Sequence, residues 1–166
     1  VSMFSPELTA RAQTAVEACH ARGVRVATAE SCTGGLVAAC LTEIPGASSA
    51  LDCGFVTYAN EAKTAMLGVS EALLIAHGAV SESVSRAMAE GGLARSRADV
   101  CVSCTGIAGP GGGTESKPVG LVHLACAATG KETLHLERRY GDLGRSAVRA
   151  ATVADAFDLI LQQLDS

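Results

Sequence analysis

The residues of this chain best suited to chemistry are hydroxyls and a lysine that stand near the ends of predicted strands. Ser31 follows the first strand, Ser48 and Ser49 precede the second, and Tyr58 and Lys63 follow it. A serine becomes a nucleophile when a base removes its proton, and a desolvated lysine or a tyrosinate can be that base. Burial lowers the pKa of a lysine because it disfavours the ammonium form. The simpler alternative makes the two adjacent serines turn caps and Lys63 a solvated helix residue.

A glycine-rich loop between two apolar runs is a second candidate for a site. A strand predicted from Asp99 ends at Thr105, and a loop with five glycines and Pro110 leads to Lys117 and the next apolar run. Open α/β sheets place ligands just past the carboxyl ends of strands, and glycine lets backbone N–H groups turn toward an anion. We interpret the loop as a wall of a small-molecule site. A flexible hairpin connection is the alternative.

Two further features favour an anionic ligand. The turn from Glu30 to Gly35 joins the first strand to a helix, an arrangement that presents backbone donors to an anion. Arg145 stands in the first turn of the last predicted helix, where the helix dipole already favours a phosphate. Arg149 follows one turn later, also away from the predicted buried stripe of that helix.

Composition argues against several classes of partner. The net charge is −4, only 3% of residues are aromatic and no long Lys/Arg run occurs, so neither nucleic acid nor a membrane surface is expected. No apolar run approaches the ~18 residues of a membrane span, and no signal peptide opens the chain, so we expect a soluble, cytoplasmic protein. Walker loops, dinucleotide fingerprints, nucleophile elbows and paired carboxylates are absent from the sequence.

Neither a metal nor a cofactor is expected from the cysteines and histidines. The seven cysteines stand mostly among Ala and Val, as small buried hydrophobes in a reducing compartment do. Cys101 and Cys104 spell C-x-x-C, but residues three apart in a strand point to opposite faces and cannot hold one metal. None of the four histidines has a neighbouring ligand at helical spacing.

These residues must be positioned by alternating helices and strands. The patterns predict strands at 24–29, 54–58, 121–128 and 133–140 and another from 99, with helices at 6–22, 36–44 and 81–94, shorter pieces between 60 and 78, and a final helix opened by residues 141–144. Its predicted buried stripe is Leu143, Ala147, Ala151, Ala154, Phe157, Leu161 and Leu164. The last two strands form a hairpin, so we predict one α/β domain over residues 1–166 with a mixed sheet.

Several of these segments together resemble the CinA C-terminal domain family. The resemblance rests on Ala29–Gly35 (AESCTGG), on Gly54–Tyr58 (GFVTY) with Asn60–Lys63 (NEAK), on Gly78–Ser81 (GAVS), and on Thr105–Pro110 (TGIAGP) through Lys117–Gly120 (KPVG). They occur in the family's order and with family-like spacing over nearly the whole chain. The resemblance implies a three-layer α/β/α sandwich with a mixed, mostly parallel five-stranded sheet.

The resemblance also implies an activity and a set of site residues. Stand-alone members of the family are nicotinamide mononucleotide (NMN) deamidases, which hydrolyse the carboxamide to nicotinate mononucleotide and ammonia without a metal. At matching positions, Ser48 would be the nucleophile, with Lys63 and Tyr58 handling its proton. The substrate-binding residues implied are Ser31, Thr33, Gly34 and Gly35 at the amide end, and Thr105, Gly106, Ala108, Gly109 and Arg145 at the ribose phosphate. A non-catalytic nucleotide-binding or regulatory module of the CinA type is the alternative.

The implied mechanism raises a question of distance. If residues 50–58 formed one straight strand, Ser48 and Lys63 would be roughly 25–30 Å apart at ~3.3 Å per residue, whereas a nucleophile and its base must lie within about 3 Å or share one water. Either residues 46–52 fold back as a turn, or the pair meets across a subunit interface. We expect a homo-oligomer, with a dimer favoured, and leave these two possibilities open.

Overall fold

The chain forms six α-helices and five strands, and the computed structural model describes all residues 1–166. The helices are α1 (Pro6–Arg22), α2 (Leu36–Thr42), α3 (Asn60–Leu67), α4 (Glu71–His77), α5 (Glu82–Ala94) and α6 (Arg145–Asp165). The strands are β1 (Val26–Glu30), β2 (Leu51–Val56), β3 (Val100–Gly106), β4 (Leu121–Ala128) and β5 (Leu134–Arg139), and a 3₁₀ turn spans Ala47–Ser49.

The strands form one mixed sheet in the order β2-β1-β3-β4-β5. β1 pairs in parallel with both β2 and β3, while β4 runs antiparallel to β3 and to β5. Four of the five strands therefore share one direction. The carboxyl ends of β1, β2 and β3 meet at a single edge of the sheet, which is where open α/β folds bind their ligands.

Helices cover both faces of the sheet. α1, α2 and α6 bury the larger apolar cluster, which includes Val26, Val102 and Phe157. On the other face, α3 and α5 pack Leu67 and Met88 against smaller side chains of β1 and β3. The three-layer α/β/α sandwich with a mixed, mostly parallel sheet is confirmed.

Local sequence signals explain where the first helix begins and ends. Ser5 Oγ accepts a hydrogen bond from Leu8 N at 3.3 Å, Pro6 occupies the first turn, and Gly23 takes the left-handed conformation at φ 63° that favours glycine. The bounds predicted for α1, α5 and β4 agree with the structure to within one residue.

Two predictions about particular elements were wrong. The second strand begins at Leu51 and ends at Val56, rather than spanning 54–58, and the carbonyl groups of residues 57 and 58, which follow it, accept hydrogen bonds from Lys63. The buried face of α6 is centred on Val148, Val153 and Phe157, and Leu143 precedes the helix and is exposed. A helix packed on both the sheet and α1 buries a broad face, and most of the predicted stripe lies at its margin.

Cys101 and Cys104 pack in the clusters on opposite faces of the sheet, as their spacing predicted. All seven cysteines are free thiols. No helix combines the length and the apolar character that crossing a membrane would require.

Candidate active site

Ser31 and Lys63 are in direct contact at the carboxyl edge of the parallel strands. Lys63 Nζ donates to Ser31 Oγ at 2.9 Å and to the main-chain oxygens of Thr57 and Tyr58 at 2.8 and 3.2 Å. Ser31 directly follows β1, and the other two residues follow β2, so neighbouring strands bring three oxygens to one nitrogen. The chain therefore contains a serine–lysine pair, and its serine is Ser31.

Lys63 is among the largest fully buried side chains of the protein, with 1% of its surface exposed. It forms no ion pair with an acidic residue. Burial lowers the pKa of Lys63, and the nearby Cys32 and Cys104 thiols oppose that shift only in part. The neutral amine is thus easier to reach than in a solvated lysine.

The surroundings of Lys63 suit a base that gains and loses a proton. A neutral amine has two N–H groups and one lone pair. The carbonyls of Thr57 and Tyr58 can take the two N–H groups, which leaves the lone pair for the proton of Ser31. The ammonium form can donate to all three oxygens, so neither protonation state leaves Lys63 without partners.

The buried carboxylate of Glu30 holds the turn after Ser31 through hydrogen bonds. One oxygen accepts hydrogen bonds from Thr33 Oγ1 at 2.6 Å and Val37 N at 2.9 Å, and the other from Thr28 Oγ1 at 3.0 Å and Ala38 N at 3.1 Å. Two of these donors are backbone N–H groups in the first turn of α2, which have no acceptor within the helix. Glu30 thereby ties the end of β1 to the next helix and fixes the path of the chain at Ser31.

We expect Glu30→Ala to lower the free energy of unfolding by about 3 kcal/mol or more, because four donors, three of them buried, lose their acceptor. Urea unfolding followed by circular dichroism measures the change. Glu17→Ala removes an exposed acid on α1 and is the matched control, with an expected effect of about 0.5 kcal/mol or less. Equal stability of the two variants would contradict this role of Glu30.

Arg145 joins two other parts of the predicted site. Its Nη1 donates to Gly109 O at 2.8 Å and its Nη2 to Tyr58 Oη at 2.9 Å. Arg145 is exposed in the first turn of α6, and Tyr58 is 58% exposed. The main-chain oxygen of Tyr58 contacts Lys63, so one tyrosine spans the space between the serine–lysine pair and the guanidinium. The tyrosine hydroxyl, predicted to handle the serine proton, contacts Arg145 instead.

Ser48 lies at the opposite edge of the sheet from Lys63. It belongs to the 3₁₀ turn that precedes β2, and Val26 at the start of β1 pairs with Leu51 at the start of β2. The five residues of β1 separate the two edges by about 16 Å at ~3.3 Å per residue. The predicted contact of Ser48 with Lys63 is therefore wrong within one chain, since the turn at 46–50 does not lead the chain back to the carboxyl edge.

Three other predicted substrate-binding residues are engaged inside the protein. Thr33 is fully buried and its hydroxyl donates to Glu30. Thr105 is 1% exposed and its Oγ1 donates to Ala79 O at 3.0 Å, which ties β3 to the loop before α5. Ala108 belongs to the larger apolar cluster. The structure thus gives these side chains packing and anchoring roles.

The predicted glycines differ in what they do. Gly34 and Gly35 have φ values of 60° and 103°, which a residue with a side chain adopts only with strain, and they let the chain turn from β1 into α2. A Cβ at Gly106 would lie 2.6 Å from Val122 Cγ2, so that glycine permits close packing of β3 on β4. Gly109 contributes its carbonyl to Arg145.

The sequence did not predict the role of Arg149, which holds the Ser31 turn through hydrogen bonds from α6. Its Nε and Nη2 donate to Cys32 O and Thr33 O, each at 3.1 Å. Spacing alone marked only that Arg149 lies one turn after Arg145. Nothing in the sequence indicates that its partners are backbone carbonyls 116 and 117 positions away.

Fold and site together define a three-layer α/β protein with a buried serine–lysine pair at the carboxyl edge of its sheet. The sequence signature described as the CinA C-terminal domain matches residues 8–164. The chain belongs to the CinA C-terminal domain family, which confirms the resemblance found in its motifs.

Three relatives illustrate the range of lengths in which this domain occurs. Nicotinamide-nucleotide amidohydrolase PncC of Escherichia coli K12 is 49% identical over 162 residues, which are 97% of each chain. A putative competence-damage inducible protein of Symbiobacterium thermophilum is 63% identical over 111 residues, which are 67% of this chain but 26% of that protein. The crystal structure of the competence/damage inducible protein CihA from Agrobacterium tumefaciens has a TM-score of 0.96 and 50% identity, with 100% of both chains covered.

The chain spans between about a quarter and a third of several longer CinA-like relatives. The Escherichia coli amidohydrolase, in contrast, matches it from end to end.

Proposed function

We propose that this protein hydrolyses the carboxamide of NMN to give nicotinate mononucleotide and ammonia. The observation that carries the proposal is the 2.9 Å contact between Ser31 Oγ and the buried Lys63 Nζ. The Escherichia coli relative that matches over 97% of both chains is a nicotinamide-nucleotide amidohydrolase, which supplies the substrate class. An amide of this kind needs an activated nucleophile and a proton for the departing amine, and one serine and one lysine provide both.

The first half of the reaction forms an acyl-enzyme. Neutral Lys63 takes the proton of Ser31 while Oγ bonds to the carboxamide carbon, and the carbonyl oxygen becomes an oxyanion. When the C–N bond breaks, Lys63 passes its proton to the nitrogen, and ammonia leaves. The positive pyridinium ring withdraws electrons from the carboxamide, which makes its carbon more electrophilic.

The second half returns the enzyme to its starting state. Lys63, neutral again, takes a proton from water, and the hydroxide attacks the ester carbon. The ester bond to Oγ breaks, the proton returns from Lys63 to Ser31, and nicotinate mononucleotide is released. The backbone N–H of Thr33, two residues after Ser31, donates to no other protein group and can stabilise the oxyanion in both halves.

Arg145 is positioned to bind the phosphate of the substrate. It offers a guanidinium in the first turn of a helix, at the far end of Tyr58 from the serine–lysine pair. An amide at Ser31 and a phosphate at Arg145 would thus lie toward opposite ends of Tyr58, whose main-chain oxygen contacts Lys63 and whose hydroxyl contacts Arg145. Tyr58 would line the wall between them.

The test of the proposal is ammonia release from NMN by purified protein in a buffer that contains a chelator. Release at an enzymatic rate supports the proposal and tests the predicted independence of metal. Absence of release, with NMN still raising the melting temperature, would favour the non-catalytic nucleotide-binding module. The cytoplasmic location and the homo-oligomer stay predictions, and with Ser31 beside Lys63 no second subunit is needed to supply the serine.

We expect Arg145→Gln to raise the KM for NMN by about 10–100-fold, the cost of one charged hydrogen-bonding partner. The rate with nicotinamide riboside, which lacks the phosphate, should be low in the parent protein and unchanged in the variant. Steady-state kinetics on both substrates measures this, with Arg11→Gln as a surface control. An equal loss on both substrates would assign Arg145 to the shape of the site rather than to the phosphate.

A further inference from the structure

Arg149 gives its hydrogen bonds to one short turn and to no acidic residue. The side chain is half-buried on α6, and Nε and Nη2 donate to Cys32 O and Thr33 O at 3.1 Å each. None of the ion pairs in the protein includes it. A full positive charge is therefore directed at two peptide groups that directly follow Ser31.

The first of these peptides is the one whose orientation a turn leaves open. Gly34 N donates to Ser31 O at 3.0 Å, which makes residues 31–34 a β-turn with the Cys32–Thr33 peptide at its centre. Common turn types differ mainly by a flip of that central peptide. The peptide is planar and trans, so its C=O and N–H point in opposite directions. The hydrogen bond from Arg149 to Cys32 O therefore fixes the direction in which Thr33 N–H points.

Thr33 N–H is a buried donor that has no acceptor in the protein. Thr33 is fully buried, and its N–H donates to no other protein group. Unpaired buried N–H groups are rare in folded proteins because they cost free energy. This one belongs to the second residue after Ser31, in the turn that Ser31 begins.

We propose that Arg149 is a positioning residue for the oxyanion. It holds the Cys32–Thr33 peptide with its N–H toward the developing negative charge, and its own charge on the carbonyl makes that N–H a stronger donor. The inference rests on the proposed amide hydrolysis. Arg149 itself does not touch the substrate, and it acts through the peptide that it binds.

The first test separates kcat from KM. An interaction that strengthens only as the oxyanion forms lowers kcat and leaves substrate binding alone. Arg149→Gln should reduce kcat by about 10–100-fold, up to the cost of losing one oxyanion donor, with KM within about threefold. Arg149→Lys keeps the charge without the two-point contact, so its kcat should lie between that of the parent protein and that of Arg149→Gln. Arg86→Gln, which removes an arginine bond to the main chain at Thr133 O, is the matched control.

The second test does not depend on turnover. In an NMN analogue with an aldehyde in place of the carboxamide, Ser31 Oγ can bond to the carbonyl carbon as Lys63 takes its proton, which leaves an oxyanion on a tetrahedral carbon. Arg149→Gln should weaken binding of the aldehyde by about the same factor as it lowers kcat. Binding of NMN to Ser31→Ala should not change when Arg149→Gln is added.

Each result of these tests supports or overturns a specific statement. A selective loss of kcat and of aldehyde affinity supports the inference. Equal weakening of the affinities for the aldehyde and for NMN would show that Arg149 only stabilises the structure of the turn, and would overturn the inference. No change in either affinity would overturn it as well. Each affinity is compared with and without Arg149→Gln in its own background, Ser31 for the aldehyde and Ser31→Ala for NMN, so a general loss of stability would affect both comparisons alike. A parent protein that neither hydrolyses NMN nor prefers the aldehyde would instead refute the proposed function.

Discussion

Ser31→Ala is expected to lower ammonia release from NMN by at least about 1,000-fold, because no other hydroxyl replaces the nucleophile. The substitution removes one oxygen from a partly enclosed turn and leaves the bonds of Glu30 and Arg149 to that turn in place. The variant should therefore fold and still bind NMN. Initial rates, together with calorimetric titration of NMN, separate lost chemistry from lost binding.

Ser48→Ala is the informative comparison for Ser31→Ala. Ser48 is exposed, its side chain makes no hydrogen bond, and it lies at the opposite edge of the sheet. We expect the rate of this variant to match the parent protein. If Ser48→Ala were inactive and Ser31→Ala active, Ser48 would have to reach Lys63 across a subunit interface, and the assignment of Ser31 would be wrong.

Lys63→Met should lower kcat by about 10²–10⁴-fold, the usual contribution of a general base. Methionine fills a similar volume but can neither accept the proton of Ser31 nor return it to ammonia. Rates with NMN measure the loss. Lys131→Met is the matched control: Lys131 also donates to main-chain carbonyls, those of Gln163 and Ser166, but at the other edge of the sheet. A similar loss in both variants would contradict a specific role for Lys63.

The pH dependence follows from the same burial. Only the neutral amine can accept the serine proton, so kcat/KM for the parent protein should rise with pH through the pKa of Lys63, which burial holds below the ordinary lysine value. At pH values between the pKa of Lys63 in the folded protein and the ordinary lysine pKa, the folded state binds fewer protons than the unfolded state. Stability relative to Lys63→Met should therefore also rise with pH across that window. If the difference in free energy of unfolding between the parent protein and Lys63→Met did not change with pH, Lys63 would titrate as an ordinary lysine.

Much of the fold could be predicted from local patterns, because each pattern has a local cause. Ser5, Pro6 and Gly23 bound α1 through caps and backbone conformation. Cys101 and Cys104 separate to opposite faces because a strand alternates its side chains. These features depend on neighbours within a few residues, so a single sequence contains the information.

The site could be predicted only in part, because its contacts depend on strand register and on main-chain atoms. Ser31 and Ser48 are the same residue type near strand ends, and only the parallel pairing of Val26 with Leu51 places one at each edge of the sheet. The partners of Lys63 and Arg149 are mostly carbonyl oxygens, which every residue has. Residue types alone cannot identify such partners.

The measurement that tests the central claim most directly is the location of the acyl-enzyme. The reaction of the protein with NMN is quenched in acid within its first turnover, and the digested protein is mapped by mass spectrometry. We expect an adduct with the mass of NMN less ammonia on the peptide that carries Ser31, and none in Ser31→Ala. An adduct on the peptide that carries Ser48, or hydrolysis that continues undiminished in Ser31→Ala, would contradict it.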